Sequence, residues 1–572
     1  MITLRFEDPR KRCPLCSCRL MAYKTRRKLV RSKRLGTFLA REKVKYCAKG
    51  HSRVGFPSEE LAALVGKGCT YAFDVLVEVA SERFLKGRSC REIAEASELG
   101  ISERHARRLS NEALEVVAAV HEASSEKLTA AMGKWVLQID GTVDGEFEII
   151  VAVRDALSGF LLYGERCHFE TREEVRAIVQ EVKARYGTPC ATISDLRAGI
   201  LSALAEVFPG VPLAICRYHF LRDLGKDLLE TDHVSLGKLL TAYGVRAALK
   251  RALRALPEYQ TDLLREVEHG YCRDPKALAV MEGRRGLERA LSVGESSGLG
   301  FAFTLRHLGF LEEGLTILPL LVENNRVAQN EAIEVAVRVL QGIASDARVL
   351  EVRDRLKEVQ GLFEALRGAM YPKAKGMSLS TETSLMNEEA QRRCREVVEM
   401  LGKALRVMTP GHVSWAAKKI VSDYQKWEGH LFVAGLEGVV VPATNNGMEQ
   451  VFRRVRRNVR KRCGDKATGR QLTLNGEKLL LYQNLANPAY VKAVFGEEEM
   501  AVVFGRERAR LPKVAVMGRK ERGRLLDKGQ ELLRSGRVPE SPYEEGPPLG
   551  GPPATETPAG APEGPSGPGL PA

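Results

Sequence analysis

Two aspartates, Asp140 and Asp195, end two apolar stretches of the sequence, WVLQID and CATISD. Each stretch has the composition of a β-strand, so each carboxylate is expected at a strand end. If the two strands are neighbours, the carboxylates meet at one edge of a sheet and repel each other unless a cation lies between them. Carboxylate oxygens suit Mg²⁺ or Mn²⁺, and a pair of such ions activates water or a 3'-hydroxyl for phosphoryl transfer.

A third acid, Glu449, stands at the head of a helix otherwise dominated by arginine, TNNGMEQVFRRVRRNVRKRCG. Helical periodicity gives this helix one apolar stripe and, beside Glu449, a basic face. That face consists of Arg453, Arg456 and Arg460. Two roles for Glu449 are compatible with the pattern. It stabilises the helix N-terminus, where Asn445 or Asn446 supplies the cap, or it completes a metal-binding set.

The spacing of cysteine and histidine near the N-terminus predicts a zinc site. CPLC supplies Cys13 and Cys16, and YCAKGH about thirty residues later supplies Cys47 and His51. Two close pairs separated by a loop form the two halves of a tetrahedral ligand shell. Cys18 is an alternative to Cys16, and the competing interpretation is a set of unrelated reduced cysteines. Such a small basic knuckle builds little core, so the metal is expected to hold it folded.

A helix-turn-helix is predicted within residues 70–122. In SCREIAEASELGISERHARRLSNEAL a first helix is followed by a turn around Gly100, and Ser102 is placed to cap a second helix. The outward face of that second helix is basic and consists of Arg104, His105, Arg107 and Arg108. Such a face suits entry into the major groove and contact with phosphates. The alternative is a helical hairpin with a solvated charged face.

Composition agrees with a nucleic-acid partner. The chain has 572 residues, too many for a single core, and a net charge of +15, which favours a polyanionic partner. It has no run of eighteen apolar residues and no signal-peptide pattern, so a cytoplasmic location is expected, with nucleoid association if the protein is bacterial, and no membrane partner. The twelve cysteines are then expected as free thiols and metal ligands.

Strand and helix patterns around the two aspartates predict a mixed sheet with helices on its faces. The order is three strands, a helix, a strand, a helix and a fifth strand or strand edge. The predicted strands cover 135–140, 147–153, 159–167, 190–195 and 213–220. From there to about residue 440 the periodicity is helical.

The strand order, QIDGT at Asp140, ISDLRAG at Asp195, CRYH after it, and TNNGMEQ at Glu449 together resemble the DDE transposases. The nearest likeness is to the Mutator-like branch and related bacterial insertion-sequence transposases. It spans about residues 135–470 and departs from the family at Leu196, where glycine often follows the second acid. Other acids of the region lie outside the pattern: Asp144, Glu146, Asp155 and Glu170.

The resemblance implies an RNase H-like catalytic domain in which Asp140, Asp195 and Glu449 bind catalytic Mg²⁺ or Mn²⁺. It also implies that the arginines on the helix of Glu449 neutralise DNA phosphates. Cys216 and His219 match a family signature without implying a metal. They are interpreted either as a buried thiol and a hydrogen-bonded histidine near the active site, or as DNA contacts.

The expected protein is therefore a transposase that binds double-stranded DNA at the ends of its element and at a target, as a homo-oligomer on DNA. The alternatives are an RNase H-like nuclease without joining activity and a domesticated descendant that acts as a DNA-binding regulator. The expected organisation is a zinc knuckle, a helix-turn-helix, a catalytic domain in two parts around an all-helical insertion, a basic helical segment and a disordered Pro/Gly-rich tail. The corresponding residues are 1–57, 70–122, 135–221 with 441–490, 222–440, 500–537 and 538–572.

Overall fold

The computed structural model describes residues 1–51, 55–142, 149–256, 269, 275–295, 303–328, 330–371, 384–433, 439–464 and 468–511. Over these ranges the protein is a mixed α/β structure that is mostly helical. None of the helices in this part of the chain is long and apolar enough to cross a membrane. The predicted tail, and the basic segment after residue 511, lie outside the described residues.

Eight strands occur in the described ranges: β1 (Ile2–Glu7), β2 (Met21–Ser32), β3 (Gly36–Tyr46), β4 (Val136–Thr142), β5 (Ile149–Asp155), β6 (Leu161–Cys167), β7 (Ala191–Ser194) and β8 (Leu213–Ile215). The helices up to the insertion are α1 (Glu59–Leu64), α2 (Phe73–Phe84), α3 (Cys90–Glu95), α4 (Glu103–Ala123), α5 (Ser125–Met132), α6 (Arg172–Tyr186) and α7 (Ala198–Val207). Those of the insertion are α8 (Arg217–Ala242), α9 (Val245–Ala255), α10 (Pro275–Glu295), α11 (Arg306–Ala328), α12 (Glu331–Ser345), α13 (Ala347–Met370), α14 (Ser384–Ala404) and α15 (His412–Leu431). The chain then forms α16 (Asn446–Cys463), α17 (Gly469–Tyr482), a 3₁₀ turn, α18 (Pro488–Phe495) and α19 (Met500–Arg510).

The N-terminal residues form a three-stranded sheet of their own, in the order β1-β3-β2. Strand β1 is parallel to β3, and β2 is antiparallel to β3. One face of the sheet packs on α1 around Phe6, Val30, Phe38 and Leu61. The sequence predicted only a metal-stabilised knuckle with little core. It missed these strands because lysine and arginine crowd their outer positions and obscure the period-two alternation.

The second sheet has five strands in the order β6-β5-β4-β7-β8. The strands β4, β5 and β6 form an antiparallel meander, and β7 and β8 add to it in parallel beside β4. The first four predicted strands are thus present over most of their length, although residues 147 and 148 of the second lie outside the described ranges. The parallel arrangement of β4, β7 and β8 brings their carboxyl ends to one edge of the sheet.

The fifth predicted strand, at 213–220, is wrong over most of its length. Strand β8 has only three residues, and α8 begins at Arg217. Phe220 and Leu221 are adjacent in the sequence and are both buried in the helical core of the insertion. Adjacent residues of a strand would instead point to opposite faces of the sheet. His219 therefore lies in the first turn of a helix and not on a strand.

A single hydrophobic core links this sheet with helices that precede and follow it in the sequence. It contains Leu114 of α4, Val151 of β5 and Phe504 of α19. The segment predicted as a helix-turn-helix, 70–122, therefore packs on the same core as the sheet. Because α18 and α19 also belong to that core, the support of the sheet extends beyond residue 490.

The helices α8 to α15 form a second core, as helical periodicity predicted. Leu229, Leu249 and Phe363 are fully buried in it. The chain leaves the five-stranded sheet after β8 and returns beside it, where the backbone N–H of Arg217 donates to the carbonyl oxygen of Ala443 at 2.9 Å. The two ends of the insertion thus meet at the edge of the sheet.

One histidine, His121 of α4, is buried where that helix meets the sheet. Its Nδ1 lies 2.8 Å from the hydroxyl oxygen of Tyr490, and its Nε2 lies 2.9 Å from the carbonyl oxygen of Leu162. Burial lowers the pKa of His121 to about 4. The ring is therefore neutral in the folded protein at physiological pH.

We expect His121 to make the folded protein sensitive to acid. A histidine in the unfolded chain titrates near 6.5, so the unfolded state takes up the proton first, and stability is lost as the pH falls below about 6.5 toward 4. Linkage gives a loss of about 2 kcal/mol between pH 7.5 and pH 5. Urea unfolding at the two pH values measures it, and His121→Gln should show a pH dependence smaller by that amount. Equal pH dependence in the two proteins would contradict the burial argument.

Candidate active site and metal site

The two aspartates come together at one edge of the five-stranded sheet. Strands β4 and β7 are parallel neighbours, with Gln138 opposite Ile193. Asp140 and Asp195 follow these residues by two positions, so both carboxylates stand at the carboxyl ends of adjacent strands. Both residues are buried, with 7% and 5% of their surface exposed.

Glu449 is delivered to the same edge by the first turn of α16. Asn445, just before this helix, fastens the turn: its backbone N–H donates to Cys216 Sγ and its side-chain amide donates to the carbonyl oxygen of Ile139, each at 3.1 Å. Ile139 directly precedes Asp140. The sequence suggested Asn445 as a helix cap, but its side chain makes no capping hydrogen bond. It ties the helix to strand β4 instead.

Cys216 and His219 lie behind the carboxylates, at the start of α8. They are 1% and 4% exposed. His219 Nε2 is 3.5 Å from Glu449 Oε1. Because neither residue reaches the surface, their burial favours the interpretation as a buried thiol and a partnered histidine over that of DNA contacts. From this position Cys216 supports Asn445, and His219 supports Glu449.

The acids influence one another's ionisation. Burial raises the pKa of Asp140 to about 7; His219 opposes the rise, and the Asp195 and Glu449 carboxylates add to it. Burial also raises the pKa of Asp195. Glu449 behaves differently, because the contact with His219 holds its pKa below the ordinary value. Burial alone lowers the pKa of His219, but the neighbouring Cys216 and Glu449 raise it to about 10.

Two buried carboxylates on adjacent strands fit a divalent cation, both by donor type and because a cation would relieve the raised pKa values. With Glu449 they do not form a close three-ligand group like that of the N-terminal cysteines. In the described part of the chain, only Cys13, Cys16, Cys47 and His51 form a group of three or more candidate ligands whose atoms all lie within 4.8 Å of one another. Asp140, Asp195 and Glu449 are not part of that group.

Basic side chains from two helices flank the acids. The guanidinium of Arg222 on α8 favours the ionised form of the second and third acids, and Arg453 on α16 favours that of the third. Arg456 donates to Thr142 Oγ1 at the end of β4. Arg460 is exposed farther along the same helix. Arg222 was missed in the sequence because it lies in the stretch predicted as the helical insertion, outside the motifs that contain the acids.

A fourth carboxylate, Glu170, belongs to the same neighbourhood although no motif contains it. Its side chain is only 5% exposed and forms an ion pair with Arg197. Arg197 Nε also lies 3.1 Å from Asp195 Oδ2. Glu170 reaches this position across Gly141, where any Cβ would collide with its carboxylate. Only the fold brings the loop after β6 to the ends of β4 and β7, so sequence reasoning placed Glu170 outside the site.

Asp155, another acid of the region, has a structural role. Asp155 accepts hydrogen bonds from the backbone N–H groups of Val136 and Ser158, at 3.0 and 2.8 Å, and so shapes the turn after β5. Asp144 and Glu146 lie outside the described residues.

The four residues predicted to bind zinc form one cluster, and Cys18 is not part of it. Cys16 Sγ lies 3.5 Å from Cys47 Sγ, and His51 Nδ1 lies 3.7 and 3.6 Å from the sulfur atoms of Cys13 and Cys47. A tetrahedron with metal–sulfur bonds of about 2.3 Å has edges of about 3.8 Å. The separations therefore fit a zinc ion and are too long for a disulfide.

The turn and the second helix of the 70–122 segment follow the predicted pattern. Gly100 has a φ of +61°, and Ser102 Oγ accepts from the backbone N–H of His105 at the start of α4. The three arginines of the predicted face, Arg104, Arg107 and Arg108, are exposed. His105 departs from the prediction, because it is half-buried with its ring 5.3 Å from that of Tyr71.

The sequence matches no protein-family model and no curated protein.

Proposed function

We propose that this protein is a DNA transposase that binds the ends of a mobile element, cleaves them by divalent-metal-dependent hydrolysis and joins the freed 3'-hydroxyl to target DNA. The observation that carries the proposal is the meeting of Asp140 and Asp195 on adjacent parallel strands, with Glu449 fastened beside them. The order of the five strands supports the resemblance to RNase H-like catalytic domains independently of the acids.

Asp140, Asp195 and Glu449 are the residues that would hold Mg²⁺ or Mn²⁺. When bound, the metal supplies activation of the attacking hydroxyl and stabilisation of the departing oxygen. The buried surroundings of the aspartates strengthen their attraction for a cation. Asn445 ties the start of α16 to strand β4, and the contact of His219 with Glu449 helps to keep the third carboxylate at the sheet edge.

Phosphates approach these acids only if their charge is neutralised. Arg222 and Arg453 are close enough to influence the acids electrostatically, and the arginine face of α16 continues away from them. A DNA strand that follows this face would present its phosphodiester to the carboxylates. Each such contact adds a salt-sensitive increment to binding through counterion release.

A strand-transfer assay tests the proposal. The DNA that flanks the gene is searched for terminal inverted repeats, and labelled duplexes of these ends are incubated with the full-length protein, Mg²⁺ and a target plasmid. A transposase yields nicked ends and then joined products. Nicking without joining identifies an RNase H-like nuclease, and tight binding without nicking identifies a regulator. Absence of both binding and cleavage overturns the proposal.

The exposed arginines of α4 give a second test, directed at recognition of the element ends. Replacing Arg104, Arg107 and Arg108 with alanine should weaken end binding at least about tenfold, because a base-reading arginine contributes roughly 1–3 kcal/mol. Fluorescence anisotropy in moderate salt measures the affinity. Arg91→Ala is the matched control, since Arg91 is exposed on α3 and pairs with Glu95 at 2.8 Å. Unchanged affinity in a folded triple variant would make this helix purely structural.

A further inference from the structure

The outer face of the N-terminal sheet carries a row of three arginines. The register places Arg5 of β1 beside Arg41 of β3, and Arg41 opposite Arg27 of β2. All three residues are exposed. None of them has an ion-pair partner among the residues that the structure describes. Each of the three strands contributes one arginine, so the row crosses the whole sheet, with about 4.8 Å between neighbouring strands.

This arrangement is unfavourable for the isolated protein. Like charges directly opposite each other on neighbouring strands destabilise a sheet. The next row on this face offsets little of the positive charge of the arginines. Its acid, Glu7, lies 3.7 Å from Lys43 and already pairs with that residue. The opposite face of the same sheet carries Phe6, Val30, Phe38 and Ala40 and packs on α1. The sheet thus concentrates uncompensated positive charge on the one face that remains open.

The same face adjoins the turn before α4. Arg31, farther along β2 on this face, donates to the carbonyl oxygens of Leu99 and Gly100. The hydroxyl of Tyr71 also donates to Gly100 O, at 3.1 Å. These bonds fix the sheet against the turn that positions the basic helix. The arginine row and the exposed arginines of α4 are therefore held in one spatial relation.

We propose that the arginine row of the N-terminal sheet binds the phosphate backbone of duplex DNA, adjacent to the segment contacted by α4. Arginine suits this role because its planar guanidinium pairs with phosphate oxygens bidentately. A phosphate backbone also offsets the repulsion within the row. The inference rests on the proposed function in taking DNA as the partner, but it requires no catalysis.

The test measures binding of the full-length protein to a 30-base-pair duplex by fluorescence anisotropy, without Mg²⁺, between 50 and 200 mM salt. In the triple variant R5Q/R27Q/R41Q, the slope of log K against log salt should fall by about 2 to 3, since each phosphate contact contributes about 0.9. Binding at 0.1 M salt should weaken on the order of 100-fold. Zinc content and circular dichroism report whether the variant is folded.

The matched control removes the same charge from the helical insertion, at exposed arginines that each pair with an acid on their own helix. These are Arg326, Arg338 and Arg392. The control should leave the slope nearly unchanged. Substitution of the row by lysine should retain most of the slope, and R27Q alone, on an edge strand, should lower it by about 0.9 if the triple variant fails to fold.

Equal losses in the row and in the control variant would overturn the proposal, because net charge alone would then account for binding. An unchanged slope in the folded row variant would overturn it as well, and so would preferential binding of duplex RNA of equal length. Because no divalent metal is present, these results are independent of cleavage. A protein that binds through the row and fails to cut DNA would refute only the proposed catalytic function.

Discussion

The Glu449→Gln protein is expected to bind element ends normally and to cleave them at least about 100-fold more slowly than the wild type, since loss of even an outer partner of a metal ligand costs about 10- to 100-fold. The substitution keeps the shape of the side chain and removes the charge that a metal requires. Gel assays of end cleavage in Mg²⁺ measure the rate, and anisotropy in its absence measures binding.

A helix-stabilising role for Glu449 predicts a different result. A charge in the first turn of a helix contributes roughly 0.3–1 kcal/mol, so its loss would lower stability slightly and leave the cleavage rate almost unchanged. The contact with His219 adds to that stability term without involving DNA. The cleavage rate and the free energy of unfolding thus separate the two roles. Near wild-type cleavage by the variant would show that Glu449 is not the third catalytic carboxylate.

Asp140→Asn and Asp195→Asn should reproduce this loss, and combinations of the three should add little, because residues that act as a unit are not additive. Glu170 is unsuitable as a control because it contacts Arg197 at the same site. Glu165→Gln is better suited, because Glu165 is an exposed acid on β6 that accepts a hydrogen bond from the hydroxyl of Tyr163 at 3.0 Å. That variant should cleave at the wild-type rate.

The purified protein is expected to hold about one zinc ion per chain, and Cys13→Ser with Cys47→Ser is expected to hold essentially none. The expected effect is large because structural zinc sites bind with apparent free energies of about 10–16 kcal/mol. Plasma emission spectrometry measures the metal, and circular dichroism measures the accompanying loss of N-terminal structure.

Cys18→Ser is the matched control for the zinc site. Cys18 belongs to the same short segment, but its sulfur lies outside the cluster. The control should therefore retain its zinc. A double variant that keeps a full equivalent of zinc would refute this site, and loss of zinc from the Cys18 variant would indicate that Cys18 replaces Cys16.

The cluster of candidate zinc ligands and the position of both aspartates at strand ends could be predicted from the sequence because each is determined locally. Metal-ligand pairs have characteristic spacing, and an acid that follows a buried strand stands at its end. Glu449 could be placed on a helix but not beside the aspartates, since it lies 254 positions after Asp195. The resemblance to a family provided that association, and the described fold is consistent with it.

The features missed in the sequence depend on contacts between distant segments. Asn445 has the residue type and position of a helix cap. It makes hydrogen bonds to Cys216 and Ile139 instead, because the fold brings these residues close to it. In the sequence Glu170 is one of many acids near a turn. Its place beside Asp195 becomes evident only when β4 and β7 are packed against its loop. The N-terminal strands escaped detection because their exposed positions are charged so densely that alternation gives little contrast.

The contact between Arg217 and Ala443, which joins the two ends of the helical insertion, has a consequence for biosynthesis. A ribosome that adds about 5–20 residues per second needs roughly 10–50 s to pass from Asp195 to Glu449. During that interval the nascent chain already contains both aspartates and the residues of the basic helix α4, but it lacks the third acid. If the three carboxylates act together as proposed, a chain that has not reached Glu449 lacks the complete acidic set. The insertion therefore postpones assembly of the three carboxylates until α16 has been synthesised.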